Sequence, residues 1–177
     1  MEQSNLDKLK SLIREVPDFP KKGILFYDVT TLIKDPKGLA LAIKQTADLY
    51  RDKGITKVVG IESRGFIIGA AVAHELGAGF VTARKPGKLP AETISISYSK
   101  EYGEDTIEIH RDSITEGDVV LIYDDLLATG GTMKAVYNLV KSINPRKVYI
   151  NFTVELAELK GRSIFPDDVQ IDSLLVY

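Results

Sequence analysis

Apolar residues fall at helical spacing twice near the start of the chain. Leu6, Leu9, Leu12, Ile13 and Val16 recur three and four apart behind Ser4, a residue type that caps helix starts, and Pro17 ends the run. The spacing predicts a helix from Asn5 to Val16. Leu39, Ile43, Ala47 and Tyr50 repeat the period after the start signal Asp35-Pro36, and Gly54 closes it, which predicts a second helix over Pro36 to Lys53. Between the two, Pro17 and the string DFPKKGILFYDVT after it set two prolines and a glycine around the short apolar run ILFY. That run is too irregular for a helix and too short for a sheet of its own, so residues 17–34 read as a shaped loop.

From Lys57 the pattern changes. The apolar runs KVVGI and FVTA flank a small-residue helix through GAAVAHEL that Gly77 ends, the rhythm of a parallel sheet with helices packed on it. Residues 84–105 interrupt that rhythm with two prolines, two glycines and mixed charge around one alternating strand, ISISY, and read as a mobile flap. TIEIH follows as a strand, ITEGD as a turn, and VVLIY as a strand of the kind buried on both faces, capped by Asp124 and Asp125. After LLATGGT the pattern gives a helix to about Ile143, a strand KVYINFTV, a short helix near Leu159 and a last strand in IDSLLVY. No internal repeat or low-complexity tract is visible. The expectation is a single α/β domain over 1–177, with a central, mostly parallel sheet flanked by helices.

Composition narrows the chemistry. A chain of 177 residues, 44% hydrophobic, is long enough for one sizeable core. Twenty-three Lys and Arg against 25 Asp and Glu leave a net charge of −2 and no global basic excess to grip nucleic acid or an anionic membrane. Any anion site must be local. Cysteine is absent, which excludes disulfides, thiolate nucleophiles and every cysteine-ligated metal class. His74 and His110 have no motif partners and read as structural. MEQSNLDKLK lacks the pattern of a signal peptide, and no apolar run nears the ~18 residues of a membrane span. The expected protein is soluble and cytoplasmic.

The strongest chemical signal is VVLIYDDLLATGGT, Val119 to Thr132. Ligands of open α/β sheets sit beyond the carboxyl ends of strands, where Asp124 and Asp125 can accept hydrogen bonds from sugar hydroxyls. Gly130 and Gly131 let backbone approach an anion. With the hydroxyls of Thr129 and Thr132 and the positive end of a helix, the loop from Ala128 makes a phosphate cradle. IESRGF likewise follows a strand and opens a helix, so Ser63, Arg64 and Gly65 form a second anion loop, with Arg64 offering a planar fork of donors. Arg84, Lys85 and Lys88 form a basic cluster that on its own usually marks a solvated face. The ILFY run suits a core plug as readily as a binding surface.

A hydrophobic strand, paired acids and ATGGT resemble the phosphoribosyl-pyrophosphate signature of type I phosphoribosyltransferases. DFPKKGILFYDVT, IESRGF, RKPGKLP, YSKEYG and VELAELKGR resemble, in the same order, segments of the adenine-specific branch of that family, and the likeness covers Pro17 to Tyr177. Lys22, Tyr27 and Glu62 depart from it, standing where proline, a basic residue and aspartate are frequent.

The resemblance implies transfer of the phosphoribosyl group of 5-phosphoribosyl-1-pyrophosphate to adenine, giving AMP and pyrophosphate. It implies a hood over the base at 17–34, with Phe26 stacking on the purine, backbone groups of Leu25 and Tyr27 reading its edge, and Leu126 beneath it. It implies that Ser63, Arg64 and Gly65 bind pyrophosphate across a cis Glu62–Ser63 peptide, and that Arg64 also borders the base. Arg84, Lys85 and Lys88 would help neutralise the pyrophosphate, partly across a homodimer interface. In the flap, Glu101 would manage the purine proton near N7, with Tyr102 beside it, and closure would exclude water. Mg²⁺ would be held mainly by substrate oxygens, with no protein ligand assigned. The rivals are a transferase for hypoxanthine, guanine or xanthine on the same scaffold, and an RNA-binding nucleotide sensor, which would need a basic stripe.

Overall fold

The computed structural model of the chain describes residues 3–100 and 103–177. Glu101 and Tyr102 lie outside the described residues. Helix α1 spans Gln3–Ser11, and the short strands β1, Arg14–Pro17, and β2, Leu25–Asp28, pair antiparallel, with Val16 opposite Phe26. Two helices follow, α2 over Thr30–Ile33 and α3 over Pro36–Tyr50. Asp35 caps α3 by accepting the Gly38 amide at 2.7 Å, and a 3-10 turn, Arg51–Lys53, carries the chain to Gly54. The second helix expected from the sequence is thus present over its full length.

The first expected helix is not. It stops at Ser11, because Thr31 offers its hydroxyl to the Leu12 carbonyl at 2.6 Å and accepts the Arg14 amide at 3.1 Å. Those bonds satisfy the turn, and Arg14–Pro17 then gains a strand partner that no local pattern reveals. For the same reason ILFY is not loop: Leu25–Asp28 is the other half of that ribbon.

The central sheet is built from β3, Lys57–Ile61; β4, Gly79–Ala83; β7, Val119–Leu127; β8, Lys147–Glu155; and β9, Ile171–Val176. All five run parallel in the order β4-β3-β7-β8-β9. Helix α4, Gly65–Leu76, joins β3 to β4, and α5, Gly131–Ser142, joins β7 to β8. Period-two alternation places Val120 and Ile122 of β7 in one core layer and Val119, Leu121 and Tyr123 in the other. That explains why VVLIY is apolar throughout. β7 does not end at Tyr123; β8 continues to pair with it through Leu127, so the acidic pair lies within the strand rather than after it.

Residues 84–105 hold more order than one strand. β5, Thr93–Lys100, pairs along its length with β6, Gly103–His110, and Arg84 exchanges both backbone hydrogen bonds with Glu108, at 2.8 and 2.9 Å. Ile94, Ile96 and Tyr98 share the face of this hairpin that packs on the core. Among the described residues no helix is long and apolar enough to cross a membrane.

Candidate active site

β3 and β7 are neighbours, yet the chain leaves them for opposite flanks, β3 toward β4 and β7 toward β8. A crevice opens between their carboxyl ends, where such sheets bind ligands. Both anion loops expected from the sequence border it.

On the β7 side, Ala128 to Thr132 line a cavity of about 660 Å³ together with Asp124, Leu126 and Tyr98. Gly130 stands at the start of α5 with φ at 83°, a conformation that costs glycine little. No side chain caps this helix, and a helix start with its first amides left uncapped and its dipole's positive end beside a cavity is the kind that suits an anion. The Tyr98 hydroxyl meets that of Thr132 at 3.1 Å, which ties the β5–β6 hairpin to the loop. The sequence reading did not assign Tyr98. Its signal was there in ISISY, where period two puts it on the face of Ile94 and Ile96.

On the β3 side, the Glu62–Ser63 peptide is cis, as the resemblance implies. A side chain at Gly65 would begin 2.9 Å from the Tyr123 carbonyl and 3.1 Å from a carboxylate oxygen of Asp124, so only glycine lets the two loops sit this close. Arg64 Nε donates to Asp125 Oδ2, and the Asp125 amide donates to Asp124 Oδ1 at 2.9 Å. Burial and the charge of Asp125 together push the Asp124 carboxyl well above the usual carboxylate range.

Arg64 also walls a second cavity of about 690 Å³, with Phe26, Phe19, Val16, Asp28 and Arg14. Phe19 and Phe26 meet edge to face at 5.1 Å. Asp28 accepts from Thr30 and from Arg14, and these bonds hold its carboxyl below the ordinary value. Of the five residues expected at the base, Phe26 and Arg64 line this cavity. Leu126 lines the other one, Leu25 is exposed, and the Tyr27 ring packs on Tyr177 at 4.2 Å, leaving its backbone on the ribbon. Arg14 and Asp28 were missed, because Arg14 had been placed in a helix.

The basic cluster converges on one carboxylate. Lys88 Nζ donates to Glu62, Arg84 Nε reaches it at 3.3 Å, and the Lys85 amide donates to it at 3.2 Å. Burial would raise Glu62, but these donors outweigh it and hold the group low. Lys85 Nζ lies 3.4 Å from Asp105. Arg84, Lys85 and Lys88 line neither of the two cavities but sit at the end of β3, beside the second anion loop. Ser63 is exposed there.

Residues 28–171 match the phosphoribosyl transferase domain family. The adenine phosphoribosyltransferase of Phocaeicola vulgatus is 60% identical over 96% of this chain and 97% of its own length. In structure, the Rhodothermus marinus adenine phosphoribosyltransferase superposes with a TM-score of 0.92 at 48% identity, covering 99% of this chain and 100% of that one. The Saccharomyces cerevisiae enzyme, solved with adenine and an imino-altritol 1,6-bisphosphate, gives 0.91 at 38% identity over 98% of this chain and 100% of that one. The chain belongs to the phosphoribosyl transferase domain family, on the type I fold. Within that family its relatives of high identity are adenine phosphoribosyltransferases.

Proposed function

We propose that this chain transfers the phosphoribosyl group of 5-phosphoribosyl-1-pyrophosphate to adenine, releasing pyrophosphate and forming AMP. The observation that carries the reading is the bond from Arg64, on the wall of one cavity, to Asp125, the neighbour of Asp124 on the wall of the other. One offers a phosphate a helix start; the other is a slot walled by Phe19 and Phe26 with ample room for a purine. That the yeast relative was solved with adenine and a bisphosphorylated sugar analogue together supports the same division of labour.

The backbone amides from Ala128 to Thr132 take the 5-phosphate, with the Thr132 hydroxyl as a further donor. Asp124 and Asp125 accept hydrogen bonds from the ribose hydroxyls and hold C1 facing the base. Phe26 stacks on the purine, a contact worth ~1–3 kcal/mol in nucleobase sites. Arg64, between base and sugar, keeps positive charge beside the leaving pyrophosphate, and Ser63 and Gly65 add donors there. Arg84, Lys85 and Lys88 lend further positive charge once Glu62 and Asp105 release them. Glu101 holds the purine proton near N7 as N9 bonds to C1, and Tyr102 closes the flap with it. Residues 17–34 act as the hood and 84–105 as the flap of a single domain.

The residues present fit Mg²⁺ held through its substrate. Asp124 lines the cavity and would offer a carboxylate to an ion that the substrate carries in, as Mg²⁺ usually keeps substrate oxygens and waters. When bound, the ion neutralises the pyrophosphate charge as it leaves. A cytoplasmic homodimer completes the reading. Incubating the protein with adenine, 5-phosphoribosyl-1-pyrophosphate and Mg²⁺ should yield AMP and pyrophosphate in equal amounts. No AMP in that mixture would contradict it.

A further inference from the structure

We propose that Arg162 is a positioning residue for the phosphate loop, which it holds from below through Glu155 and Gly161. The inference rests on the reading of Ala128 to Thr132 as the 5-phosphate cradle. β8 ends at Glu155, directly opposite Leu127, the last residue of β7 before the cradle begins. The Leu156 amide donates to the Leu127 carbonyl at 2.9 Å, so the ends of the two strands are fixed together. From the 3-10 turn Gly161–Ile164, Arg162 reaches back and grips Glu155 with both prongs, Nε to Oε1 at 2.7 Å and Nη2 to Oε2 at 2.6 Å. Its Nη1 donates to the Ile171 carbonyl of β9 at 2.5 Å and Nη2 to Ser173 Oγ at 3.2 Å. The Ser173 hydroxyl in turn donates to Glu155 at 2.7 Å. One guanidinium thus joins β8, β9 and the turn.

The residue before it, Gly161, is the point of contact with the cradle. A Cβ there would lie 2.3 Å from the Ala128 carbonyl and 2.8 Å from Leu127 Cδ1. A Cβ on Gly130 would lie 2.8 Å from the Gly161 carbonyl. The turn therefore forms a floor under the loop from Ala128 to Gly130, with no room for a side chain between them. A loop that binds an anion through its amides loses affinity if it must first be ordered, so a rigid floor supports binding without touching the ligand. Burial would raise Glu155, but the bonds from Arg162 and Ser173 outweigh it and hold the carboxyl low, so the pair remains charged at neutral pH. Arg162 lines neither of the two cavities, which leaves loop position as its route to the substrate.

The test compares Arg162→Gln, Arg162→Lys and Ser173→Ala with the parent. Calorimetric titration with ribose 5-phosphate reads the cradle, and steady-state turnover separates the KM for 5-phosphoribosyl-1-pyrophosphate from that for adenine. Arg162→Gln should weaken ribose 5-phosphate by ~10-fold or more, with the lysine variant between it and the parent because it keeps the charge and loses the fork. The KM for the phosphoribosyl substrate should rise while that for adenine stays. Unchanged ribose 5-phosphate affinity in a folded variant, or equal rises in both constants, overturns the proposal. Should the glutamine variant fail to fold, the lysine and Ser173→Ala variants decide it by the same readings. A parent protein that turns over adenine yet does not bind ribose 5-phosphate overturns the strut alone, whereas one that binds it without turning over adenine overturns the assigned reaction.

Discussion

Arg64, on the wall of one cavity, donates through Nε to the buried Asp125, the neighbour of Asp124 on the wall of the other. This pair ties the wall of one cavity to the strand whose residues line the other. It also sets the electrostatics of the crevice, since it leaves Asp124 as the acid that burial and a neighbouring charge act upon.

Removing the cation should therefore cost stability as well as binding. Asp125 is 3% exposed while the Arg64 side chain is 44% exposed, so solvent screens part of the pair. Arg64→Ala should destabilise the fold by about 1–3 kcal/mol, between the values for exposed and buried pairs, and weaken pyrophosphate binding. Urea unfolding and a pyrophosphate titration check the two effects; an unchanged midpoint would show that Asp125 is satisfied without Arg64.

Asp124 should carry a pH-dependent cost. Because its carboxyl is raised in the folded protein, its favourable contribution is complete below the unfolded value of ~3.9 and is lost as pH rises through the folded value. Asp124→Asn carries no charge at either end of that range. It should melt above the parent at neutral pH, by ~2–4 °C for each kcal/mol relieved in a domain of this size, and the difference should close toward pH ~4. The same variant should bind 5-phosphoribosyl-1-pyrophosphate more weakly. A melting temperature equal to the parent's at every pH would mean that Asp124 carries no such cost.

Gly65→Ala tests how closely the two loops must approach. The added methyl would meet backbone of β7 at 2.9 Å, and backbone cannot swing aside as a flexible side chain can. The expected loss is ~1–3 kcal/mol of stability, as for overpacking elsewhere in cores, with a fall in turnover that exceeds what the stability loss explains. Parent-like stability and turnover would show that β3 and β7 can separate at this point.

Glu101 is assigned from the sequence resemblance alone. Glu101→Ala should lower kcat by ~10²–10⁴ while leaving the melting temperature within a degree or so of the parent's. Removal of Mg²⁺ by a chelator should abolish turnover in parent and variant alike. Turnover near that of the parent in Glu101→Ala would move the proton-handling role to another group.

The sheet was legible because β3, β7 and β8 are buried over most of their length and so read as largely apolar runs, and the phosphate loop because Gly130 and Gly131 have few other reasons to follow a strand. The ribbon of β1 and β2 was not legible. Val16 fits a helical period from Ile13 as well as a strand, and the deciding bonds come from Thr31, far along the chain. Losing that ribbon also hid Arg14 and Asp28. Glu62 was seen as a departure from a motif, but its gathering of Lys88, Arg84 and the Lys85 amide depends on the end of β3 meeting the segment after β4. Gly161 and Arg162 lie within VELAELKGR, yet the approach of Gly161 to Ala128 requires β8 to pair with β7.

The central claim is tested most directly by competition within a single reaction. Adenine, hypoxanthine, guanine and xanthine would be supplied together at equal concentration with limiting 5-phosphoribosyl-1-pyrophosphate and Mg²⁺, and the nucleotide products separated. AMP as the predominant product, with pyrophosphate in equal amount, is the predicted result. IMP, GMP or XMP in place of AMP would contradict the assignment of the base, and pyrophosphate release without any nucleotide would contradict transfer itself.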